Sequence, residues 1–289
     1  MRIAIEDDFD LAKIAESGQC FRWTRCADGS WLIPYRRSRL RIARVGCNEG
    51  DACDGDAGEQ AGGVFEVDCA GVEFSEVWRG YFDLDEDYRA VRSRIDPADD
   101  PFLFEAAEAQ RGIRILRQDL WEVIVSFIIS QNRNIPAIKR SVELLCEAAG
   151  ERVADHGPDG GFYAFPSPEA VCALDGESLA RCRLGYREGY VRAAAESVAS
   201  GAVDLEALRS ASDDEAFETL LGMRGIGIKV ASCIALFGLH RVNAFPIDTW
   251  IKKVLAREYP DGFPFERYEP YNGICQQYLF AHYRTTMSD

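Results

Sequence analysis

The sequence has no run near the roughly 18–20 consecutive apolar residues that a membrane span needs. It opens on "MRIAIEDDFD", acidic at once, where a secretory leader is first basic and then apolar. A membrane-spanning or exported protein is therefore not expected, and a cytoplasmic location is. Ten cysteines are scattered with no Cys-x-x-Cys pair, which removes the spacing of zinc ribbons and thioredoxin-like redox sites. Most of them read as small apolar packing residues. Internal repeats are absent as well. Positive charge is scarce overall: the formal net charge of -15 argues against a general nucleic-acid coat, since phosphate binding is driven by lysine and arginine.

What is present is a chain of 289 residues, 47% of them apolar, enough for one large domain or two medium ones with a buried core. Its acid is unevenly spread. The stretch "GCNEGDACDGDAGEQAGG", 46–63, carries five acids and no base, and reads as a long solvated loop. Residues 220–257 carry Arg224, Lys229, Arg241, Lys252, Lys253 and Arg257 against Asp248 alone. A locally basic face on an acidic protein still binds a polyanion, with weaker long-range steering.

Residues 1–95 mix short alternating runs such as "GSWLIPYRRSRLRIARV" and "GGVFEVDCAGV" with turn residues, which predicts a small antiparallel sheet with a helix or two. From 96 to 289 the spacing becomes helical, over 119–131, 136–149, 187–200, 213–222, 227–238, 249–258 and 272–284. The fold class expected is α+β, a β-rich N-terminal domain followed by a helical one. Pro- and Gly-rich segments, "GERVADHGPDGGFYAFPSP" and "PDGFPFERYEP", mark loops inside the second part.

The segment "LLGMRGIGIKVASCIALFGL" reads as a helix ending at Gly222, a tight turn through Gly225 and Gly227, and a second helix. Glycine allows positive φ and close backbone approach, and the first N–H groups of the new helix have no partners within it. Such a turn cradles a phosphate, although an ordinary αα-hairpin has the same appearance. Lys229 sits in the first turn of this almost wholly apolar helix, where a positive charge opposes the helix dipole. A snorkelling surface lysine and an amine nucleophile are the two readings of it.

Asp248 stands between "AFPI" and "TWIKKVL", the position of a helix N-cap. Twelve residues of helix rise about 18 Å from Lys229, and the nine that follow, extended, span roughly 30 Å, so both helix starts can face one cleft. A carboxylate there would stabilise positive charge developing on a sugar ring, or take protons from the lysine.

The hairpin with its lysine, followed 19 residues later by the aspartate of "PID", resembles the helix-hairpin-helix DNA glycosylases that carry a Gly/Pro-rich loop and a catalytic aspartate. "SGQCFRW", "SFIISQNRNI" with "LGYREGYV", and "GICQQYLFAHYR" are similar to the 8-oxoguanine branch of eukaryotic type. These segments span most of the chain. The resemblance implies a bifunctional glycosylase and lyase acting on double-stranded DNA that contains 8-oxoguanine, with Lys229 as the amine that attacks C1′ and Asp248 assisting. It further implies base recognition by the carbonyl of Gly18 with Cys233, Gln276 and Phe280, and an orphaned-base wedge of Asn132, Tyr186 and Arg187. Gly225, Gly227 and Trp250 would lie at DNA phosphates. The protein is expected to be a monomer, at the nucleoid in a prokaryote. No cofactor is expected: the four-cysteine tail of the iron–sulfur glycosylases is absent, leaving at most a monovalent or divalent cation at the hairpin with DNA.

The chemistry fits those residue types. Oxidation turns guanine N7 from an acceptor into a donor, so one fixed carbonyl distinguishes lesion from guanine. Four departures qualify the resemblance. Ala137 stands where the eukaryotic members carry a second cytosine-reading arginine, and Arg133 replaces an asparagine, which together predict relaxed opposite-base preference. Trp250 replaces a histidine near the DNA backbone, and Ser232 an aspartate beside the pocket cysteine. Two rivals stand beside this reading: a non-catalytic helix-hairpin-helix DNA-binding module, in which Lys229 and Asp248 are idle, and a monofunctional alkyl-base glycosylase, which needs no lysine nucleophile.

Overall fold

A computed structural model describes residues 1–46, 62–154 and 159–286. Nearly all of the acidic stretch of 46–63 lies outside the described residues. Two compact units are present. The first comprises Met1–Ile33, Leu40–Arg117 and His240–Asp289, and the second Pro34–Arg39 with Gln118–Leu239. The sequence reading puts one cut near residue 95; here residues 240–289 group with the sheet-bearing unit, the helix Asn272–Thr286 packing on Pro101–Ala109 and the shorter C-terminal helices on Asn272–Thr286.

Five strands, all but the 34–39 ends of β3 and β4 in the first unit, are β1 (Arg2–Ile5), β2 (Thr24–Arg25), β3 (Trp31–Tyr35), β4 (Ser38–Arg44) and β5 (Gly63–Val67), in a sheet of order β1-β5-β4-β3-β2. The outer strand β1 runs antiparallel to β5 with Ile3 opposite Phe65. Alternation decides which face is buried: Phe65 and Val67 are covered while Val64 and Glu66 are exposed, and on β4 Leu40 and Ile42 are fully buried. Behind the sheet Phe9 meets Phe65 and Phe82 edge-on at 5.1 and 5.2 Å, and the Trp23 indole N–H donates to the Tyr81 hydroxyl at 2.8 Å.

The same unit has a polar heart. The Arg114 guanidinium is wholly buried; it donates to the Asp7 carboxylate at 2.8 Å and to the carbonyls of Phe82, Asp8, Asp83 and Glu86, and lies 4.1 Å from the Tyr88 ring centre. Every donor direction of the planar fork is thereby used. Asp100 caps the helix Pro101–Ala109 and also accepts from the hydroxyls of Tyr259 and Tyr268, each at 3.0 Å. That cap ties the C-terminal segment to the helix, and the long helix Asn272–Thr286 packs against both it and the helix Thr249–Glu258.

The second unit is helical. Its centre is Leu120–Ser130, started by the Asp119 cap and buried at Leu120, Trp121 and from Val123 to Ile129. Around it pack Ile135–Ala149, Glu188–Ala199 and Ile228–Phe237, the last with Phe237 stacked on Phe127 at 5.4 Å. The seven helices expected from spacing are all present within two residues at each end. Shorter ones, Pro168–Cys172, Gly176–Arg181 and Leu205–Ser210, were not anticipated; none is long enough to display a helical period, though each begins at a capping Ser or Asp.

Candidate active site

The hairpin consists of Asp213–Gly222, a turn, and Ile228–Phe237. Its first helix starts on a reciprocal capping box between Ser212 and Glu215. At the turn Gly225 has φ +87°, and a Cβ there would lie 2.3 Å from Cγ of Tyr190, so both conformation and space demand glycine. Its carbonyl accepts from the Gln131 side chain at 3.0 Å, which fixes the turn to the neighbouring helix end. Gly227 differs from expectation: it is the N-cap at φ -99°, an extended residue, and a Cβ there would meet nothing within 4 Å. Its contribution is therefore an uncovered backbone, with no side chain capping the helix it starts.

Lys229 follows in the first turn, half-buried, with its ammonium 5.4 Å from the Phe127 ring centre. That cation–π contact holds the side chain over an apolar helix rather than letting it extend from the surface. Cys233, one turn on, is buried on the same helix face. Ser232 turns its hydroxyl back to the Ile228 carbonyl at 2.9 Å.

Asn132, Tyr186 and Arg187 come together in this unit. Asn132 takes φ +50° and is exposed, and its side-chain N–H donates to the Tyr186 hydroxyl at 3.2 Å. Tyr186 stands 56% exposed, with the Arg187 guanidinium 4.3 Å from its ring centre. Arg187 itself is 5% exposed: its Nε donates to the Gln131 carbonyl at 2.8 Å, its Nη2 to the same carbonyl and, at 3.4 Å, to that of Asn132. It braces the Asn132 turn from below. Arg133 points the other way, donating to Ser141 Oγ at 2.6 Å and to the Arg183 carbonyl; partial burial first, then the charge of Arg187, lowers its pKa. Ala137 offers only its backbone N–H, to the Asn134 cap at 3.0 Å.

The remaining candidates belong to the first unit. Asp248 is the N-cap of Thr249–Glu258 and accepts from the N–H groups of Trp250 and Ile251 at 2.9 and 2.8 Å, which leaves its second carboxylate oxygen outside the cap. Trp250, half-buried, contacts the Tyr283 ring at 6.0 Å and the Lys253 ammonium at 4.9 Å. Gly18 has φ +80°, in a loop pinned by the Gln19 amide to Ser17 and to the Arg114 carbonyl, and a Cβ there would come within 3.3 Å of the Phe280 ring. Gly18 and Phe280 are thus neighbours. Gln276, one turn before Phe280, is buried, with its N–H donating to the Pro246 carbonyl at 2.9 Å. The neighbouring Gln277, Tyr190 behind Gly225, and the Pro246 carbonyl were not singled out from sequence. The paired glutamines of "CQQY" were the available signal for the first.

An antiparallel sheet joined to helices, one pair of them a glycine hairpin that delivers a lysine, defines a helix-hairpin-helix protein of the glycosylase type. The family model of the 8-oxoguanine DNA glycosylase N-terminal domain matches residues 2–124. A probable N-glycosylase/DNA lyase of Methanothermobacter thermautotrophicus is 27% identical, over 98% of this chain and 96% of its own. The structure of MBOgg1 with a low-affinity DNA ligand superposes with a TM-score of 0.86 and 34% identity, over 99% of this chain and 95% of that one. The 8-oxoguanine glycosylase/lyase of Clostridium acetobutylicum, bound to duplex DNA with cytosine opposite 8-oxoguanine, gives 0.84 and 31%, over 99% and 98%. The chain belongs to the 8-oxoguanine DNA glycosylase/lyase family. Among the described residues no helix is long and apolar enough to cross a membrane.

Proposed function

We propose that the protein excises 8-oxoguanine from duplex DNA and then cleaves the strand at the emptied position. The base–sugar bond breaks at C1′ as the Lys229 nitrogen bonds to that carbon and gives up a proton; the departing base takes the bonding electrons. The sugar opens to a Schiff base, whose acidified C2′ proton is lost as the 3′ phosphate leaves. Asp248 carries two tasks in this reading, stabilising the positive charge that develops on the sugar and receiving the lysine proton. The chain's own groups suffice for every step, so the reading invokes no cofactor.

Recognition follows from the oxidised base. The Gly18 carbonyl accepts from N7–H, which guanine lacks, and a mismatched edge leaves polar groups unpaired at about 1–3 kcal/mol. Gln276 bonds the Watson–Crick edge, while Phe280 and Cys233 take the two ring faces. Asn132 and Tyr186 fill the space of the extruded nucleotide, and the uncovered backbone at Gly227 with the unsatisfied N–H groups after it holds a phosphate. Trp250 lies at the DNA backbone. Arg187 is committed to the carbonyls of Gln131, Asn132 and Leu184 and position 137 is alanine, so discrimination of the opposite base is relaxed.

The observation that carries the reading is Lys229, half-buried at the start of an uncapped apolar helix. A pure DNA-binding module has no need of an amine there, and a monofunctional glycosylase has no need of a lysine. Borohydride trapping on duplexes with 8-oxoguanine opposite each of the four bases tests it. The wild type is expected to form a covalent adduct on all four with a narrow spread, and Lys229→Gln on none. DNA binding without an adduct on any duplex would remove the lysine mechanism and leave the binding module or the monofunctional glycosylase, which release of free base tells apart.

A further inference from the structure

Gln277 has no part in the reading above. It is 3% exposed; its Nε2 donates to Gln276 Oε1 at 3.0 Å, while its own Oε1 is buried and has no hydrogen-bond partner among the described residues. A buried acceptor left unpaired costs about 1–3 kcal/mol. Methionine would fill nearly the same volume without that cost. This helix therefore keeps a polar side chain where packing alone favours an apolar one, and what the side chain does is hold its neighbour.

Gln276 is gripped from two sides. The Pro246 carbonyl can only accept, so its 2.9 Å contact is to the amide nitrogen; Gln277 Nε2 can only donate, so its contact is to the amide oxygen. The carbonyl imposes the rotation of the Gln276 amide, and the Gln277 N–H holds the amide oxygen in that place. One N–H and one lone pair of Gln276 remain for a ligand, and their order in space is fixed.

That order matters to a purine. The edge of 8-oxoguanine presents the O6 acceptor beside the N1–H donor, whereas 8-oxoadenine presents the N6–H donor beside the N1 acceptor. A freely turning amide satisfies either edge by rotating half a turn; a locked one satisfies a single order. We propose that Gln277 is a positioning residue for base choice, locking Gln276 so that it reads a guanine-type edge and refuses an adenine-type one. The grip also reaches the backbone of Pro246, two residues before Asp248, so the reader and the loop that carries the carboxylate share one hydrogen-bonded unit.

The inference rests on the excision reading, and the experiment separates the two. Single-turnover excision is measured on duplexes carrying 8-oxoguanine or 8-oxoadenine, with wild type, Gln277→Met and Gln277→Asn, the last keeping an amide one methylene too short to reach Gln276. Loss of one such hydrogen bond corresponds to about a 3- to 10-fold fall in the ratio of the two rates. Both variants are expected to show that fall, with Gln277→Met melting at or above the wild-type temperature. An unchanged ratio, or an equal loss on both substrates together with a lower melting temperature, would mean that Gln277 only packs. A wild type that excises 8-oxoguanine from no duplex would remove the reading itself, and this proposal with it.

Discussion

The two units bury different kinds of group. In the first, Asp8, Asp83, Asp100, Arg114, Gln276, Gln277 and His282 are all inside; in the second, among the described residues, only Ser126, Ser141 and Arg187 are. Packing in the second is thus a matter of apolar faces, Leu120–Ser130 against the hairpin, with Lys229 set into that surface. Hydrogen-bonded networks fix direction in the first: the Gly18 loop hangs on Gln19 and the Gln276 amide on two partners. The division suits the proposed chemistry. An amine nucleophile is served by apolar surroundings, whereas groups that read a base edge must not rotate.

The contrast is sharpest where each unit starts a helix, since Asp248 caps one and nothing caps the other. Asn caps as well as Asp, so Asp248→Asn keeps the helix start and removes only the charge. Single-turnover excision is expected to fall about 100- to 10,000-fold with an unchanged melting temperature. In Asp248→Ala the same activity loss should come with about 1 kcal/mol of lost stability. If Asp248→Asn kept its rate, the carboxylate would be a cap and nothing more.

Stability variants probe the same contrast. Arg114→Met removes the buried partner of Asp7 and leaves four carbonyls facing a thioether, so denaturant unfolding should show a loss of about 3–5 kcal/mol. Gly225→Ala adds a methyl at positive φ against Tyr190, where overpacking costs about 1–3 kcal/mol. It should also weaken DNA binding, because the turn carries the uncovered backbone at Gly227. Equal losses from the two would contradict the difference in how the units are held.

Most of the second unit was legible in the sequence because its helices are long and periodic: the hairpin and its lysine follow from local pattern, as does the capping Asp248 of the first unit. The short helices at 168–172, 176–181 and 205–210 had too few turns to show a period. What sequence could not supply was contact across distance. Nothing local says that Arg187 folds onto the Gln131 carbonyl, that Gly225 is forced by Tyr190, or that Pro246 and Gln277 grip Gln276 from opposite sides. Nor does it say that residues 240–289 return to the sheet-bearing unit, since that depends on Tyr259 and Tyr268 meeting Asp100, about 160 residues upstream.

The smallest expected effect is also the most selective. Burial alone would raise the pKa of Asp83, but the His240 hydrogen bond and charge, with Arg117, outweigh it and hold the pKa below 3.8. Asp7, likewise opposed by burial, is held below 3.8 by Arg114 and by the N–H groups around it. A carboxylate with a lowered folded-state pKa stabilises the fold above its unfolded value, and that contribution is lost as pH falls through the folded value. Acidification below about pH 4 should therefore loosen the first unit before the second. Hydrogen exchange resolves the order: the N–H groups of Tyr88 and Ile115, bonded to Asp7 and to the Tyr88 hydroxyl, should lose protection before those of 120–130. Asp83→Asn should flatten that pH dependence. Simultaneous loss in both units, unaltered in the variant, would show that the buried carboxylates do not set the acid limit and that the difference between the units ends at composition.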